Sequence, residues 1–482
     1  MLTERMEIGL IVGNRGFFPD HLCQSGRKKL LELLKKKNLK VVSLPEEVGK
    51  FGSVETRQDA EKCAELFRRH RDSLSGIIVT LPNFGDERAV ADTIRWSKLD
   101  VPILIHAWPD DPGKMDVANR RDSFCGKISV CNNLKQYGIK FSLTRWHTVD
   151  PESPLFLEDL DCFLGVCRVL AGLKKARLGA LGARPAAFKT VRYSEKILEK
   201  EGISVDTTDL SEVLSVAARL SDNDSSVLKA LKTIQDYTVS SSVTQSSLKK
   251  IARFKVALDR WVEENDFSAV AIQCWSSLQQ NFGVMPCVAM SMLSESLKPA
   301  ACEVDILGAL SMYVLQLASG KPSAIVDWNN NYHNQPDKAV IFHCSNFPVS
   351  YFEKSCLYIS EIIAGTVGKE NAAGTIYGRV KTAPFTFLRL STDDISGCIK
   401  GYLGEGRLTD DQMETFGGYS VVQINNLQSL LQFICREGLE HHVAINLSSC
   451  NAVVEEALLG YRDWPLYLHG HRGNGCGIQS AF

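Results

Sequence analysis

The sequence predicts an α/β protein in which two Rossmann-like, parallel-sheet domains precede a mostly β, barrel-like C-terminal domain. Three observations carry this. Residues 1–110 alternate apolar runs of strand length with amphipathic stretches of helix length, the same alternation resumes near 177, and from about 339 the chain turns β-rich with Gly and Pro turns. The implied domains are 1–170, 171–340 and 341–482, in keeping with a length of 482 residues, more than one hydrophobic core usually serves.

The elements follow in order. "EIGLIVG" reads as a strand, "GRKKLLELLKKK" as a helix and "KVVSLP" as the next strand. A helix near 57–72, "SGIIVTLP", a helix near 87–97 and "VPILIHA" complete the first sheet. A helical connector, "FLEDLDCFLGVCRVLAGLKKA", covers about 156–176. The second unit runs through "ARLGALG", a helix near 190–202, the Ser-rich "TVSSSVTQSS" as a loop or helix start, a long helix near 247–264, and "FSAVAIQCW". In "PAACEVDILGALSMYVLQLASGKPSAIVDWNN", two strand-like pieces flank a helix that begins at Asp305, a good N-cap type, and stops at Gly320 and Pro322. The third region offers "KAVIFHCSNFP", "AAGTIYGRVK", "APFTFLRLS" and "GYSVVQIN" as strands before a helix in "LQSLLQFICREG".

Composition narrows the function. With 55 basic against 56 acidic residues and no long run of either sign, nothing offers the basic footprint of a nucleic-acid binder, so a small molecule or a protein is the expected partner. The fifteen scattered cysteines form no C-x-x-C pair or regular framework, which reads as reduced thiols in a cytoplasmic protein. No apolar stretch reaches the roughly 18 residues of a membrane span, and the acidic "MLTERMEIGL" does not look like an export leader.

Glu303 and Asp327 stand at the downstream ends of the two strand-like pieces. A strand, a helix and a strand joined in this way are expected to run parallel in one sheet, with both acids emerging on the same edge, about 4.8 Å apart if the strands are neighbours. They would then reach one cation between them, at the edge where open α/β sheets bind ligands. Gln273 and Arg184 fall on that edge by the same argument, and His106 and Trp108 fall on the corresponding edge of the first domain. The alternative is that such acids are only solvated or cap the next helix, and Asp305 reads as a cap. Two carboxylates with one imidazole suit Mn²⁺ or Mg²⁺ better than a thiolate-bound ion. Histidine pairs at 441–442 and 469–471 are candidates for that imidazole, although a lone histidine is more often structural. The Gly-rich "HRGNGCG" near the end leads into no helix and is a weak phosphate-loop candidate.

The segments "AIQCW", "PAACEVDILGALSMYVLQLASG", "AIVDWNN", "GRVKTAPFTFLRLSTDD", "ETFGGY" and "HHVAINL", in this order, resemble the L-fucose isomerase-like family of sugar isomerases, which is related to the L-arabinose isomerases. The resemblance is densest from about 270 onward, with "GNRGFFPD" a weaker match near the start. It implies metal binding by Glu303, Asp327 and His442; family members have Asn-His where this chain has His441-His442, and the second residue is the ligand. It further implies Arg15 and Gln273 as substrate contacts, a homo-oligomer such as a hexamer, and sites at subunit junctions.

The implied reaction fits the residues. Aldose–ketose isomerisation moves a proton between C1 and C2 through an enediolate, which calls for a base, an acid and a charge-stabilising divalent ion. Glu303 and Asp327 are accordingly expected to serve both as ligands and as the catalytic acid/base pair. Arg15, Trp108, Arg184, Gln273, Trp275, Trp328, Asn329 and His469 are candidates to hold the sugar body. The substrate could be a deoxyhexose, a pentose or a sulfonated hexose such as sulfoquinovose. For an anionic sugar, Arg15, Arg184, Lys381, Arg389 or Arg472 could supply the positive charge. The alternatives are a catalytically silent sugar-binding or regulatory protein, and an epimerase or lyase that uses the same enediolate.

Overall fold

The computed structural model describes residues 6–470. The "HRGNGCG" segment, with His471 and Arg472, lies outside the described residues. The chain forms two compact units. Among the described residues, one takes in 6–172 together with Glu456–Asp463, and the other Leu173–Glu455 with 464–470.

The first unit is built on a parallel sheet of β1 (Glu7–Val12), β2 (Lys40–Val42), β3 (Leu74–Leu81), β4 (Ile103–Ala107) and β5 (Ser142–Leu143), in the order β2-β1-β3-β4-β5. All six residues of β1 are buried, as expected of a strand covered on both faces. Helices 57–69, 87–97 and 123–136 pack on one face, and helices 20–36 and 154–174 on the other. Their starts are written in the sequence: Thr56 and Asp59 form a reciprocal capping box, and Asp86 caps the helix that follows it. His106 and Trp108 do not line a ligand edge here. Both are buried, with Thr80 Oγ1 bonded at 2.9 Å to His106 Nδ1 and to Trp108 Nε1, and His106 Nε2 2.8 Å from the Val149 carbonyl. The strand end that sequence leaves open is roofed by the unit's own core.

The second unit begins with a four-stranded parallel sheet of β6 (Arg177–Leu181), β7 (Ser204–Thr208), β8 (Ala269–Ile272) and β9 (Ala300–Cys302), in the order β7-β6-β8-β9. The remaining strands are β10 (Ser323–Asn331), β11 (Lys338–His343), β12 (Cys356–Ile359), β13 (Ala373–Arg379), β14 (Ala383–Asp393), β15 (Cys398–Leu408), β16 (Gly418–Gln423), β17 (His442–Asn446) and β18 (Leu466–Leu468). Six of them close a ring through antiparallel pairs β10–β11, β11–β16, β16–β15, β15–β14, β14–β17 and β17–β10. The expected barrel is therefore a closed one, a solution that leaves no open edge in the ring. Helix 306–319 contacts both the parallel sheet and the barrel. Every residue from Ile306 to Ala318 is buried, which explains why its sequence is apolar on all sides.

A second expectation fails as well. β10 does not lie in the parallel sheet beside β9; it is a barrel strand, antiparallel to both of its neighbours. The apolar run "SAIV" is too short to declare its partners, and β11 and β17 capture it from further along the chain. Among the described residues, no helix is long and apolar enough to cross a membrane.

Candidate active site

The two acids nevertheless reach the same histidine, because helix 306–319 delivers the chain from the end of β9 into the barrel wall. β10 and β17 pair so that Asp327 lies directly opposite His442. His442 Nε2 stands 3.1 Å from Glu303 Oε2 and 3.4 Å from Asp327 Oδ1. Glu303 reaches this position from an unusual backbone: it and Val304 are both left-handed, with φ of 57°. That conformation is costly for L-residues and worst for a β-branched one, so the packing around β9 holds the turn in place, as strained turns at functional sites commonly are.

Behind His442 lies a chain of charged groups that sequence did not reveal. Its Nδ1 is 2.8 Å from Asp305 Oδ2. Arg389, fully buried, clasps both oxygens of Asp305 at 2.6 and 3.1 Å and stands 3.1 Å from Glu440 Oε1. Asp305 also caps the helix as expected, its Oδ1 accepting from the Gly308 N–H at 2.8 Å. A carboxylate on one imidazole nitrogen fixes the ring and turns the other nitrogen toward an ion, the usual support for a metal-binding histidine. Arg389 is thus no candidate for an anionic substrate, since its charge is already bound inside the protein.

Other side chains form the walls. Trp275 Nε1 donates to Glu303 Oε1 at 3.1 Å. His343, which carries no motif signal in the sequence, is buried with Nε2 4.0 Å from Glu303 Oε2. It ends the alternating strand "KAVIFH" on the same face as Ala339 and Ile341, so its burial was readable from the strand's period. Phe188 sets its ring edge-on to Trp275 and to His441, with centroids 6.0 and 5.4 Å apart. His441 Nε2 lies 3.6 Å from Asp327 Oδ1.

The remaining candidates scatter. Gln273 accepts from the Ala183 N–H at 2.9 Å and lines a cleft of about 750 Å³ along the ends of β6, β7 and β8. Gly182 must be glycine beside it: its φ is +83°, and a Cβ would lie 2.4 Å from the Gln273 oxygen. Trp328 points away from its neighbour Asp327 and donates to the Tyr402 hydroxyl at 2.9 Å. Asn329 is exposed and accepts from the Asn330 N–H. His469 hydrogen-bonds the Asn425 carbonyl at 2.8 Å and lines a cavity of about 480 Å³ that none of Glu303, Asp327 or His442 touches. Arg15, in the first unit, pairs with Glu87 and lies over the Phe84 ring at 4.2 Å. Lys381 is exposed; Arg184 is half-buried and makes no carboxylate pair among the described residues.

Electrostatics separate the acids. Burial opposes charge on His442, yet the Asp305 hydrogen bond and the adjacent Glu303 carboxylate hold its proton up to about 10. Burial pushes Glu303 up, but the imidazoles of His442 and His343 bring it below the usual carboxylate range. Burial carries Asp327 above that range against the pull of three histidines. Despite the upward push of burial, Asp305 stays well below it, held by Arg389 and His442.

These donors fit a divalent ion. Glu303 Oε2 is buried and, although close to His442, no hydrogen bond of proper angle reaches it. Two oxygen donors and one imidazole nitrogen suit a hard or borderline cation. Comparison with known proteins gives the family. Residues 9–174 match the fucose/sulfoquinovose isomerase N-terminal domain and residues 341–469 the L-fucose isomerase C-terminal domain, together more than half of the chain. The chain belongs to the L-fucose isomerase-like family of sugar isomerases. It is accordingly an enzyme, an aldose–ketose isomerase. Glu303 and Asp327 lie between the two matched spans, and His442 inside the second. The sulfoquinovose isomerases of Priestia aryabhattai and Priestia megaterium are each 23% identical over 336 residues, covering 68% of this chain and 70% of theirs. That of Alkalicoccus urumqiensis is 24% identical over 356 residues, covering 72% and 76%. A solute-binding protein from Actinobacillus succinogenes with bound D-allose aligns at a TM-score of 0.16 and 11% identity, over 65% of this chain and 92% of that one, which is too distant to bear on fold or function.

Proposed function

We propose that this isomerase is metal-dependent, that Glu303, Asp327 and His442 hold a divalent ion such as Mn²⁺ or Mg²⁺, and that its substrate is a sulfonated aldose of the sulfoquinovose class. The observation that carries the metal reading is the convergence of both carboxylates within 3.4 Å of His442 Nε2 while Asp305 occupies the other ring nitrogen. When bound by Glu303, Asp327 and His442, such an ion would supply Lewis acidity for the negative charge of the enediolate. Glu303 and Asp327 form the acid/base pair that moves the proton between C1 and C2. Their environments push their proton affinities in opposite directions, the arrangement two carboxyls need to share a proton transfer. Phe188 and Trp275 supply apolar walls that keep water from the enediolate.

The relatives' name supports the sulfonated substrate. Arg184 is the basic residue we assign to the sulfonate: it sits four residues before Phe188 and has no internal carboxylate partner among the described residues. The assembly we propose is a homo-oligomer, open to a direct mass measurement in solution.

The test strips the protein with a chelator, adds back single metals and follows sulfoquinovose, L-fucose and D-arabinose by NMR in D₂O. Ketose should form from sulfoquinovose only with metal and not in Glu303→Gln or Asp327→Asn, and recovered aldose should carry deuterium at C2. Arg184→Gln should raise KM for the sulfonated sugar and leave kcat nearly unchanged. Full turnover in the stripped enzyme would refute the metal reading, and preference for a neutral sugar would refute the substrate.

A further inference from the structure

Four cysteines, Cys274, Cys287, Cys302 and Cys344, form one interacting group beside His343, and nothing in the isomerase chemistry uses them. Cys302 ends β9, Cys344 follows β11, and Cys287 opens the helix Cys287–Glu295. Cys287 and Cys302 lie near enough to Cys344, and Cys274 near enough to Cys302, to perturb one another's thiols. All four are free. Sulfurs of Cys302 and Cys344 and a ring nitrogen of His343 lie within 4.8 Å of one another, and His343 Nδ1 is 3.6 Å from Cys344 Sγ.

Single buried cysteines usually act as small apolar residues. A thiol group with an imidazole nitrogen turned into it is a different object. Zinc–sulfur and zinc–nitrogen bonds of about 2.3 and 2.0–2.1 Å at tetrahedral angles place neighbouring sulfur and nitrogen ligands about 3.6 Å apart. The His343–Cys344 spacing already has this value, and the Cys302 sulfur completes a group whose donor atoms all lie within 4.8 Å of one another. Cys344 as a residue is of intermediate exposure.

We propose that Cys302, Cys344 and His343 form a second metal site, selective for a thiophilic ion such as Zn²⁺. It is distinct from the oxygen-rich centre of Glu303, Asp327 and His442. The two sites share a single ring: His343 offers Nδ1 to the thiols and faces Glu303 with Nε2 across 4.0 Å. An ion on Nδ1 keeps the ring's remaining proton on Nε2, so occupancy of the thiol site turns a fixed N–H toward a ligand of the isomerase centre.

The experiment titrates Co²⁺ into the full-length, reduced, chelator-stripped protein. Sulfur-to-cobalt charge-transfer absorption should saturate at one ion per chain in the native protein and equally in Asp327→Asn, which disables only the oxygen-rich centre. The band should fall at least tenfold in Cys344→Ser and vanish in Cys302→Ser/Cys344→Ser, with circular dichroism confirming that both variants fold. Absence of the band in the native protein, or its survival in the double variant, overturns the proposal. Should the double variant not fold, alkylation of Cys344 in the native protein decides: Zn²⁺ should slow it at least tenfold, and an unchanged rate overturns the site.

Discussion

Asp305 works in two directions, capping a helix with one oxygen and orienting His442 with the other. Asp305→Asn keeps the shape but removes the charge that holds the ring, so calorimetry should show Mn²⁺ affinity falling 10- to 100-fold although no proposed ligand is touched; unchanged affinity would show that His442 needs no such support. The same histidine sets a pH dependence. An ion must displace its proton, which the folded protein holds up to about 10, so Mn²⁺ affinity should rise with pH between 7 and 9 by up to about tenfold per unit. Stability of the metal-free protein should move the other way. A raised histidine pKa stabilises fully below the unfolded value near 6.5, and that contribution is lost as pH climbs through about 10. Electron paramagnetic resonance of free Mn²⁺ and urea denaturation check the two trends, and a flat affinity across this range would contradict the first. The sequence shows Glu303 and Asp327 because acids at the ends of apolar runs stand out, whereas His442 is singled out from the histidine pairs only by the family resemblance. It conceals the second task of Asp305 because a cap signature accounts for that residue completely, and it conceals His343 because a buried histidine reads as core.

At the scale of elements, the site depends on the first turn of helix 306–319. Gly308 is in that turn, and a Cβ there would lie 2.4 Å from Asp305 Oδ2 and 2.7 Å from Ile325 Cδ1. Helix propensity alone makes Gly308→Ala stabilising by up to about 1 kcal/mol. The contact reverses the functional sign: Asp305 must move off His442, and the metal titration should weaken about tenfold or more. Native-like affinity in that variant would mean the turn yields without cost to the site. Arg389 joins β14 to the same turn and to Glu440 just before β17. Arg389→Met leaves two buried carboxylates without their cation and should lower unfolding free energy by about 3–5 kcal/mol in urea melts; a loss under about 1 kcal/mol would mean that water reaches the pair. The strand, helix and strand around this turn were legible from period and caps. The sheet that receives β10 was not, because pairing depends on β11 and β17, whose claim on "SAIV" no local pattern states.

Across the whole molecule, the alternation of strands and helices and the later β-rich stretch were enough to give the architecture. Closure of the barrel was not legible, since it rests on two residue pairs, Arg407–Gln423 and Leu408–Val422, that join β15 to β16. The placement of the site within this architecture has a thermodynamic consequence. Glu303, Asp327, His442 and their supports Asp305, Arg389 and Glu440 all belong to the second unit, so an ion bound there is linked to the folding of that unit. At a free concentration 100 times its dissociation constant, a ligand specific to the folded state adds about 2.7 kcal/mol. Hydrogen exchange with and without Mn²⁺ should show that gain around 303–309, 325–328, 387–391 and 440–444, where the ligands and their charged supports lie. Strands β1 to β4 should exchange at nearly the same rate in both conditions, because none of their residues joins the ion's donors or the charges behind them. Equal gains in both units would mean that metal binding is coupled to the folding of the entire chain, and the site could then no longer be treated as a device of the barrel and the helix that feeds it.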